Sequence, residues 1–399
     1  MSKSESGAGR SGVLRVAARE FSRIASDRIY LVLLVLLPAL SFALLYAIFA
    51  KGVPRDLPVV LCDLDRSSLS RQIARMVDGT PGARISCRVD SPAEAENEIL
   101  SGRAQAALVV PRDFARDIRR GTPADVVLFT NAQALPLAGT VTTGARAAVA
   151  TFSAGVKATR LSAARGLPPS GALAAALPVR GDLSILFNPY LNYVTYLVSG
   201  LLPAMLQLFV LLAAVMALAS ELRFGTAAEW LAAAGGSVPS ALLGKLLPYA
   251  VHFTLLSIGS VALLLRLAAV PVKGSILLVT VGTVLFVLAY IALAIPFVAL
   301  SGNLRMATSV AAFVGAPAFA FAGITFPSFG MPPLGRAWSA LLPLTHYLRL
   351  LCEQTLRGAS PAVSAGPLLA LAAFVLVAPW IGAWRWRTLM TDPARWGKE

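Results

Sequence analysis

The stretch between Asp182 and Glu221 contains no charged residue, and this feature constrains the fold more than any other. A helix needs about 20 apolar residues to cross the roughly 30 Å hydrocarbon core of a bilayer, and this stretch is long enough. Hydrophobic residues make up 57% of the 399-residue chain and charged residues 14%, whereas ordinary globular proteins have about 45–50% and about 25%. The composition excludes a soluble enzyme and predicts a membrane protein.

Six segments have the length and apolar character of a membrane span. The first, residues 29–50, exceeds the roughly 7–15 apolar residues of a signal peptide, so we expect an uncleaved anchor. The other five lie within residues 191–386, at about 193–219, 246–265, 276–300, 307–324 and 368–384. The predicted fold class is an α-helical polytopic membrane protein with six transmembrane helices in a one-plus-five arrangement.

Basic residues near the outermost spans set the expected orientation. Six precede the first span and four lie at or after the end of the last one, mostly in a tail of residues 387–399. Because Lys and Arg beside helix ends favour the cytoplasm, both termini are expected there and residues 51–190 outside. The net charge of +15 forms no clustered basic face of the kind that binds nucleic acid, so we interpret it as an orientation signal.

Residues 1–28 are predicted to form an amphipathic helix in the cytoplasmic interface. Apolar side chains recur at helical spacing from Val13 to Ala25, and charged residues, Glu20 among them, occupy the other faces. The alternative is a helix that lies free in water.

The charged block of residues 51–190 predicts a small inserted α/β domain with some parallel strand pairing, because short apolar runs alternate with helical patterns. The predicted strands are residues 57–61, 84–89, 104–110 and 124–129. An alanine-rich helical return over 132–164 and a linker over 163–181 follow. Cys62 and Cys87 fall in the first two strands, where they could form a disulfide in an oxidising compartment or stay as two free thiols.

Catalytic and metal-binding motifs are missing from the sequence. Neither His252 nor His346 has an acidic residue within four positions, and Gly244-Lys245 does not belong to a phosphate-binding loop. The predicted spans carry no charge in their cores, which argues against proton-coupled transport, since such transport usually relies on ionisable residues within the membrane. Active transport would therefore take its energy from another polypeptide.

A short charged segment, residues 221–231, lies between the second and third predicted spans. Thr226 follows Gly225 as a helix cap with Glu229 three residues later, which predicts a capping box and a short helix across the cytoplasmic membrane face. Its charges and Trp230 suit docking onto a cytoplasmic partner. The alternative is a charged loop that only stops translocation.

Two motifs resemble those of permeases in the ABC-2 family of ATP-binding-cassette exporters. Residues 244–249, Gly-Lys-Leu-Leu-Pro-Tyr, are similar to the G-K-x-x-P-Y that opens the family's third span. The segment 221–231 resembles its coupling helix, although Leu222 and Phe224 replace charged residues. The residues that this resemblance assigns to coupling with an ATPase are Glu221, Arg223, Gly225, Thr226, Glu229, Trp230, Leu231, Gly244 and Lys245.

The resemblance implies the membrane subunit of an exporter that moves a hydrophobic or amphipathic substrate outward. A separate cytoplasmic ABC ATPase subunit would hydrolyse ATP with Mg, so the chain itself would be no enzyme and would bind no cofactor or metal. It also implies a homodimer, or a heterodimer with a similar permease, in the inner membrane of a bacterial cell, and it allows for a periplasmic adaptor.

Uncharged polar and aromatic residues on or just before the second span are candidates for a substrate pathway, with ordinary helix packing as the alternative. They are Asn188, Asn192, Tyr193, Tyr196 and Gln207. A function of another class also stays open, namely a surface receptor or secretion-associated protein whose external domain binds a partner without transport. An ATPase that co-purifies with the chain would distinguish the two.

Overall fold

The computed structural model describes residues 5–133, 135–177, 186–188, 192–267 and 270–397. The chain divides into a helical unit, Met1–Gly52 with Ile185–Glu399, and an α/β unit, Val53–Ser184. Six helices among the described residues are long and apolar enough to cross a membrane, and each overlaps one predicted span. They are span 1 (Arg28–Phe49), span 2 (Val194–Arg223), span 3 (Val238–Arg266), span 4 (Ile276–Ser301), span 5 (Leu304–Phe321) and span 6 (Pro361–Trp380).

Span 3 begins eight residues before the predicted boundary at residue 246. The Ser237 hydroxyl accepts a hydrogen bond from the Ser240 amide at 3.4 Å, and Pro239 lies in the first turn, where its missing N–H costs nothing. The helix continues to Leu267. Lys245 therefore lies within the helix rather than before it.

Span 6 also departs from its predicted bounds of 368–384. It begins at Pro361 and ends in a 3-10 turn at Trp380, because Gly382 adopts a positive φ of 77° that breaks the helix. A separate helix, Ala383–Thr391, follows. Two helices that the hydropathy pattern did not predict, Pro333–Ala340 and Pro343–Cys352, lie between spans 5 and 6.

The N-terminal helix, Glu5–Ser26, buries Glu20 and leaves part of its apolar face exposed. Val16 and Glu20 are each 1% exposed, whereas Leu14 and Phe21 are 65% and 68% exposed. The sequence places Glu20 among the charged residues off the apolar face and does not predict its burial. Its burial has a specific cause, because the side chain meets a cation on span 3.

The α/β unit contains a four-stranded sheet in the order β2-β1-β3-β4. β1 runs parallel to β2 and β3, and β4 pairs with β3 in the antiparallel direction. Their bounds are β1 Leu57–Asp63, β2 Ala83–Val89, β3 Ala106–Val110 and β4 Val127–Thr130. All five residues of β3 are buried, as expected for a strand covered on both faces.

Helices cover both faces of this sheet. The helix Pro92–Leu100 is capped by Ser91, whose hydroxyl accepts from the Glu94 amide at 3.2 Å. The stretch predicted as a linker contains a short helix, Pro169–Ala176. The other helices of the unit are Ser68–Asp78, Phe114–Arg120 and the long helix Leu135–Arg165.

The two cysteines of the α/β unit lie on adjacent strands but out of register. Cys87 pairs with Val60 and Cys62 pairs with Val89, an offset of two residues. Both thiols are free, and they pack in the same apolar cluster. The disulfide stays a prediction.

Candidate functional site

A buried cluster of charges joins three segments of the helical unit: the N-terminal helix, the end of span 2 and the start of span 3. The Lys245 ammonium lies between two carboxylates, donating to Glu20 and, at 2.5 Å, to Oε1 of Glu221. The three side chains are only 1–2% exposed. The sequence places them far apart, and the fold brings them into direct contact.

Further donors surround both carboxylates. The Tyr249 hydroxyl donates to Oε1 of Glu20 at 2.7 Å. Arg19 and Arg23 each donate to Glu221 at 3.3 Å, and the Thr226 hydroxyl donates to it as well. Burying an ion pair costs several kcal/mol per ion in desolvation, and only good geometry with additional hydrogen bonds offsets that cost. This cluster supplies such bonds.

The sequence did not place Glu20, Arg19, Arg23 or Tyr249 in a functional site. One usable signal was the spacing of four between Val16 and Glu20, which puts both on one helix face. Another was Tyr249, four residues after Lys245 and thus on the same face of span 3. Neither signal shows which distant segment each face contacts.

Two glycines permit the close approach of the N-terminal helix. A Cβ atom on Gly244 would lie 2.6 Å from the Val13 carbonyl oxygen, and one on Gly12 would lie 2.8 Å from the Ala234 carbonyl oxygen. Both distances are far below van der Waals contact. The glycine before Lys245 thus allows the backbone contact that positions Glu20 beside the ammonium.

A short helix, Ala227–Ala233, lies between spans 2 and 3 where the sequence predicts it. Thr226 occupies the N-cap position but makes no side-chain cap bond, since its hydroxyl donates to Glu221 instead. The predicted capping box is therefore wrong. The hydroxyl serves as a donor to the buried carboxylate, which needs donors, and it accepts no hydrogen bond from the amides of the short helix.

Trp230 anchors this short helix. Its indole is fully buried, donates to the Ala241 carbonyl at 3.0 Å and packs edge-on against Trp386 with ring centroids 6.0 Å apart. The Lys245 ammonium lies 5.7 Å from the Trp230 ring centroid, within the range of a cation–π interaction. The helix is thus packed against the charge cluster.

The predicted coupling residues differ widely in exposure. Glu221, Trp230 and Lys245 are buried, whereas the side chain of Glu229 is 78% exposed and Arg223 is exposed as well. Leu231 and Thr226 are half-buried, and Gly225 has a positive φ of 71° in the turn before the short helix. Phe224, which the sequence identified only as a departure from the family's coupling segment, is 65% exposed.

The candidate pathway residues form hydrogen bonds to backbone groups, some of them near in the sequence and others more than 100 residues away. Asn188 exchanges two hydrogen bonds with the backbone of Asn192, and the Tyr193 amide donates to the Gly52 carbonyl. The Tyr196 hydroxyl is 3.4 Å from the Ile324 carbonyl. Gln207 is buried and donates to the Gly315 carbonyl at 3.0 Å, while its own amide oxygen has no partner. Their role in a pathway stays a prediction.

A second buried polar cluster lies after the helix Pro343–Cys352. Glu353 is 2% exposed and accepts from Ser364 at 2.8 Å and from Arg349 at 2.9 Å. The neighbouring Gln354 accepts from the Ser275 amide at 2.8 Å. Among the described residues, no group of three or more His, Cys, Asp or Glu side chains is arranged to hold a metal ion.

The sequence profile described as ABC-2 family transporter protein matches residues 28–384. A comparison with curated proteins finds no match. The matched region includes all six spans, the charged end of span 2 and Lys245. It therefore covers most of the buried cluster and all of the short helix. The chain belongs to the ABC-2 family of transporter proteins, multi-pass membrane subunits without catalytic activity that pair with an ATP-hydrolysing subunit.

Proposed function

We propose that the chain is the permease of an exporter that moves a hydrophobic or amphipathic substrate outward when a separate ATPase subunit hydrolyses ATP. The observation that carries this proposal is the short helix Ala227–Ala233, which exposes Glu229 on one face and packs Trp230 against the buried charge cluster on the other. A partner that binds the exposed face can displace such a helix, and the displacement would move spans 2 and 3. The working unit would be a dimer of permeases with two ATPase subunits.

The proposed topology puts both termini and the short helix in the cytoplasm of a bacterial cell, with the spans in its inner membrane. The α/β unit, between spans 1 and 2 in the sequence, then lies outside as an extracytoplasmic domain, where a periplasmic adaptor could bind. The basic residues before span 1 and after span 6 support this orientation. The exposed Leu14 and Phe21 of the N-terminal helix would lie in the interface, as in other amphipathic helices.

Nucleotide binding to the ATPase subunit can change the packing of the spans only through a surface whose contacts with that subunit differ between its nucleotide states. Phe224 and Glu229 offer such a surface, since both are exposed and belong to the turn and helix after span 2. The buried side chains of Glu221 and Lys245 would hold the N-terminal helix, span 2 and span 3 together. Motion of the short helix would then reach three segments at once.

Replacement of both Phe224 and Glu229, as Phe224→Ala with Glu229→Arg, tests the docking surface. We expect a folded chain that loses its ATPase, because removing central contacts of an interface costs at least about 2 kcal/mol, or roughly 30-fold in affinity. The tagged chain is purified in mild detergent, and the co-purifying ATPase subunit and its ATP hydrolysis are measured.

Arg357→Glu is a matched control, because it reverses an exposed charge that the proposed topology puts on the other side of the membrane. It should keep the ATPase subunit bound. Unchanged co-purification and ATP hydrolysis in the double variant would show that the short helix is not the coupling element. If no ATPase co-purifies with the unaltered chain, the receptor function becomes the better proposal.

A further inference from the structure

The α/β unit contains a cavity for which the proposed transport cycle has no use. Its volume is 590 Å³, within the roughly 300–1,000 Å³ of small-molecule sites. It lies between the long helix Leu135–Arg165, the helix Phe114–Arg120 and the segment that leads to β4. All of its lining residues belong to the α/β unit.

The cavity exists because the long helix extends beyond the sheet that it covers. A helix of 31 residues is about 46 Å long, whereas the seven residues of β1 span about 23 Å. The helix buries Val141, Ala145 and Phe152 against the unit's core. Its apolar stripe then continues through Val156 and Leu161, which are only half-buried and line the cavity.

The inner wall is apolar and well packed. Ile73 and Phe114 are 1% and 2% exposed, and the Phe114 ring stacks on Phe152 with centroids 6.0 Å apart. Ile118 and Val149 complete this wall. An apolar chain that enters such a cavity leaves water and fills space that no side chain of the unit occupies, and burial of apolar surface drives binding.

The mouth of the cavity is positively charged. Lys157 and Arg160 line it, and no acidic residue does. Neither cation forms an ion pair with any residue in the described part of the chain. Gly121 leaves room for the Arg160 guanidinium, since a Cβ atom there would lie 2.2 Å from one of its nitrogens. The two cations are one helical turn apart and therefore point to the same side.

We propose that this cavity binds a single-chain amphiphile with an anionic head group. The alkyl chain would lie along Phe114, Phe152 and Val156, and the head group would lie between Lys157 and Arg160. The inference goes beyond the proposed function, because the site lies wholly within the α/β unit and does not depend on the ATPase.

Photo-crosslinking of the full chain in phosphatidylcholine nanodiscs tests the proposal, with a diazirine analogue of palmitic acid as the probe. Peptides that carry the label are identified by mass spectrometry. We expect labels within residues 114–126 and 149–164, displaced by an excess of palmitic acid but not by hexadecanol, which has the same chain and no charge. Labels confined to the membrane spans, or equal displacement by hexadecanol, would overturn the proposal.

Two variants and a control sharpen the test. Reversing both charges, as Lys157→Glu with Arg160→Glu, should lower labelling in these peptides about tenfold, with each exposed cation worth roughly threefold. Arg165→Glu reverses an exposed charge on the same helix outside the cavity and should leave labelling unchanged. Val149→Trp should fill the cavity and abolish labelling. If the Val149→Trp chain does not fold, the labelling of the variant with both charges reversed tests the proposal. Full labelling of the charge-reversed chain would contradict the proposal.

Discussion

Replacement of Lys245 with Met is expected to destabilise the chain by about 3–5 kcal/mol, because it leaves buried carboxylates without their shared cation. Among the described residues, Glu20 would keep only the Tyr249 hydroxyl as a side-chain hydrogen-bond partner, and both groups are buried. The side chains of Met and Lys are of similar length, so the loss is electrostatic rather than steric. Equilibrium unfolding in mixed micelles of a mild detergent and SDS measures the change.

Neutralising Glu20 in the same chain should restore part of the lost stability. In Glu20→Gln with Lys245→Met, the remaining carboxylate of Glu221 still accepts from Arg19, Arg23 and Thr226. We therefore expect the double variant to be less destabilised than the sum of the two single variants, by about 0.5–3 kcal/mol.

Arg266→Met is the matched control, since it removes an exposed cation at the other end of the same helix. It should change stability by no more than about 0.5 kcal/mol. Equal effects of the two Met substitutions would mean that the cluster contributes nothing specific. Additive effects of Glu20→Gln and Lys245→Met would mean that these two groups do not interact.

The sequence predicts the spans well, because crossing a bilayer imposes a length and an apolar composition that a single stretch of residues satisfies or fails by itself. The bounds are less certain where a local signal extends a helix past the apolar stretch. Ser237 and Pro239 start span 3 early enough to include Lys245. The helical pattern and its cap together, rather than hydropathy alone, define this boundary.

The buried cluster was only partly predictable. The motif resemblance singles out Glu221 and Lys245 but treats both as docking residues, whereas the fold buries them against Glu20. A residue pattern reports which side chains share a helix face, but not which distant face lies opposite. For the same reason, local rules assign the Thr226 hydroxyl to a helix cap, while the fold gives it to Glu221.

Substitution of Gly244 by Ala should separate the N-terminal helix from span 3. The new methyl group would lie 2.6 Å from the Val13 carbonyl oxygen and 2.7 Å from the Val16 Cβ atom, so the backbones must move apart. Overpacking of this kind costs about 1–3 kcal/mol, and the shift also weakens the contact between Glu20 and Lys245. Unfolding in mixed micelles measures the stability, and trypsin cleavage after Arg19 and Arg23 reports release of the helix.

Gly259→Ala on the same helix is a control with the opposite expected sign. A Cβ atom at Gly259 would meet nothing within 4 Å, and Ala is favoured over Gly in a helix by up to about 1 kcal/mol. The same chemical change should therefore stabilise the chain at one position and destabilise it at the other. If Gly244→Ala leaves both stability and trypsin cleavage unchanged, the close helix crossing does not hold the N-terminal helix in place. If Gly244→Ala lowers the stability and increases trypsin cleavage, the buried charge cluster depends on the close helix crossing as well as on its charges.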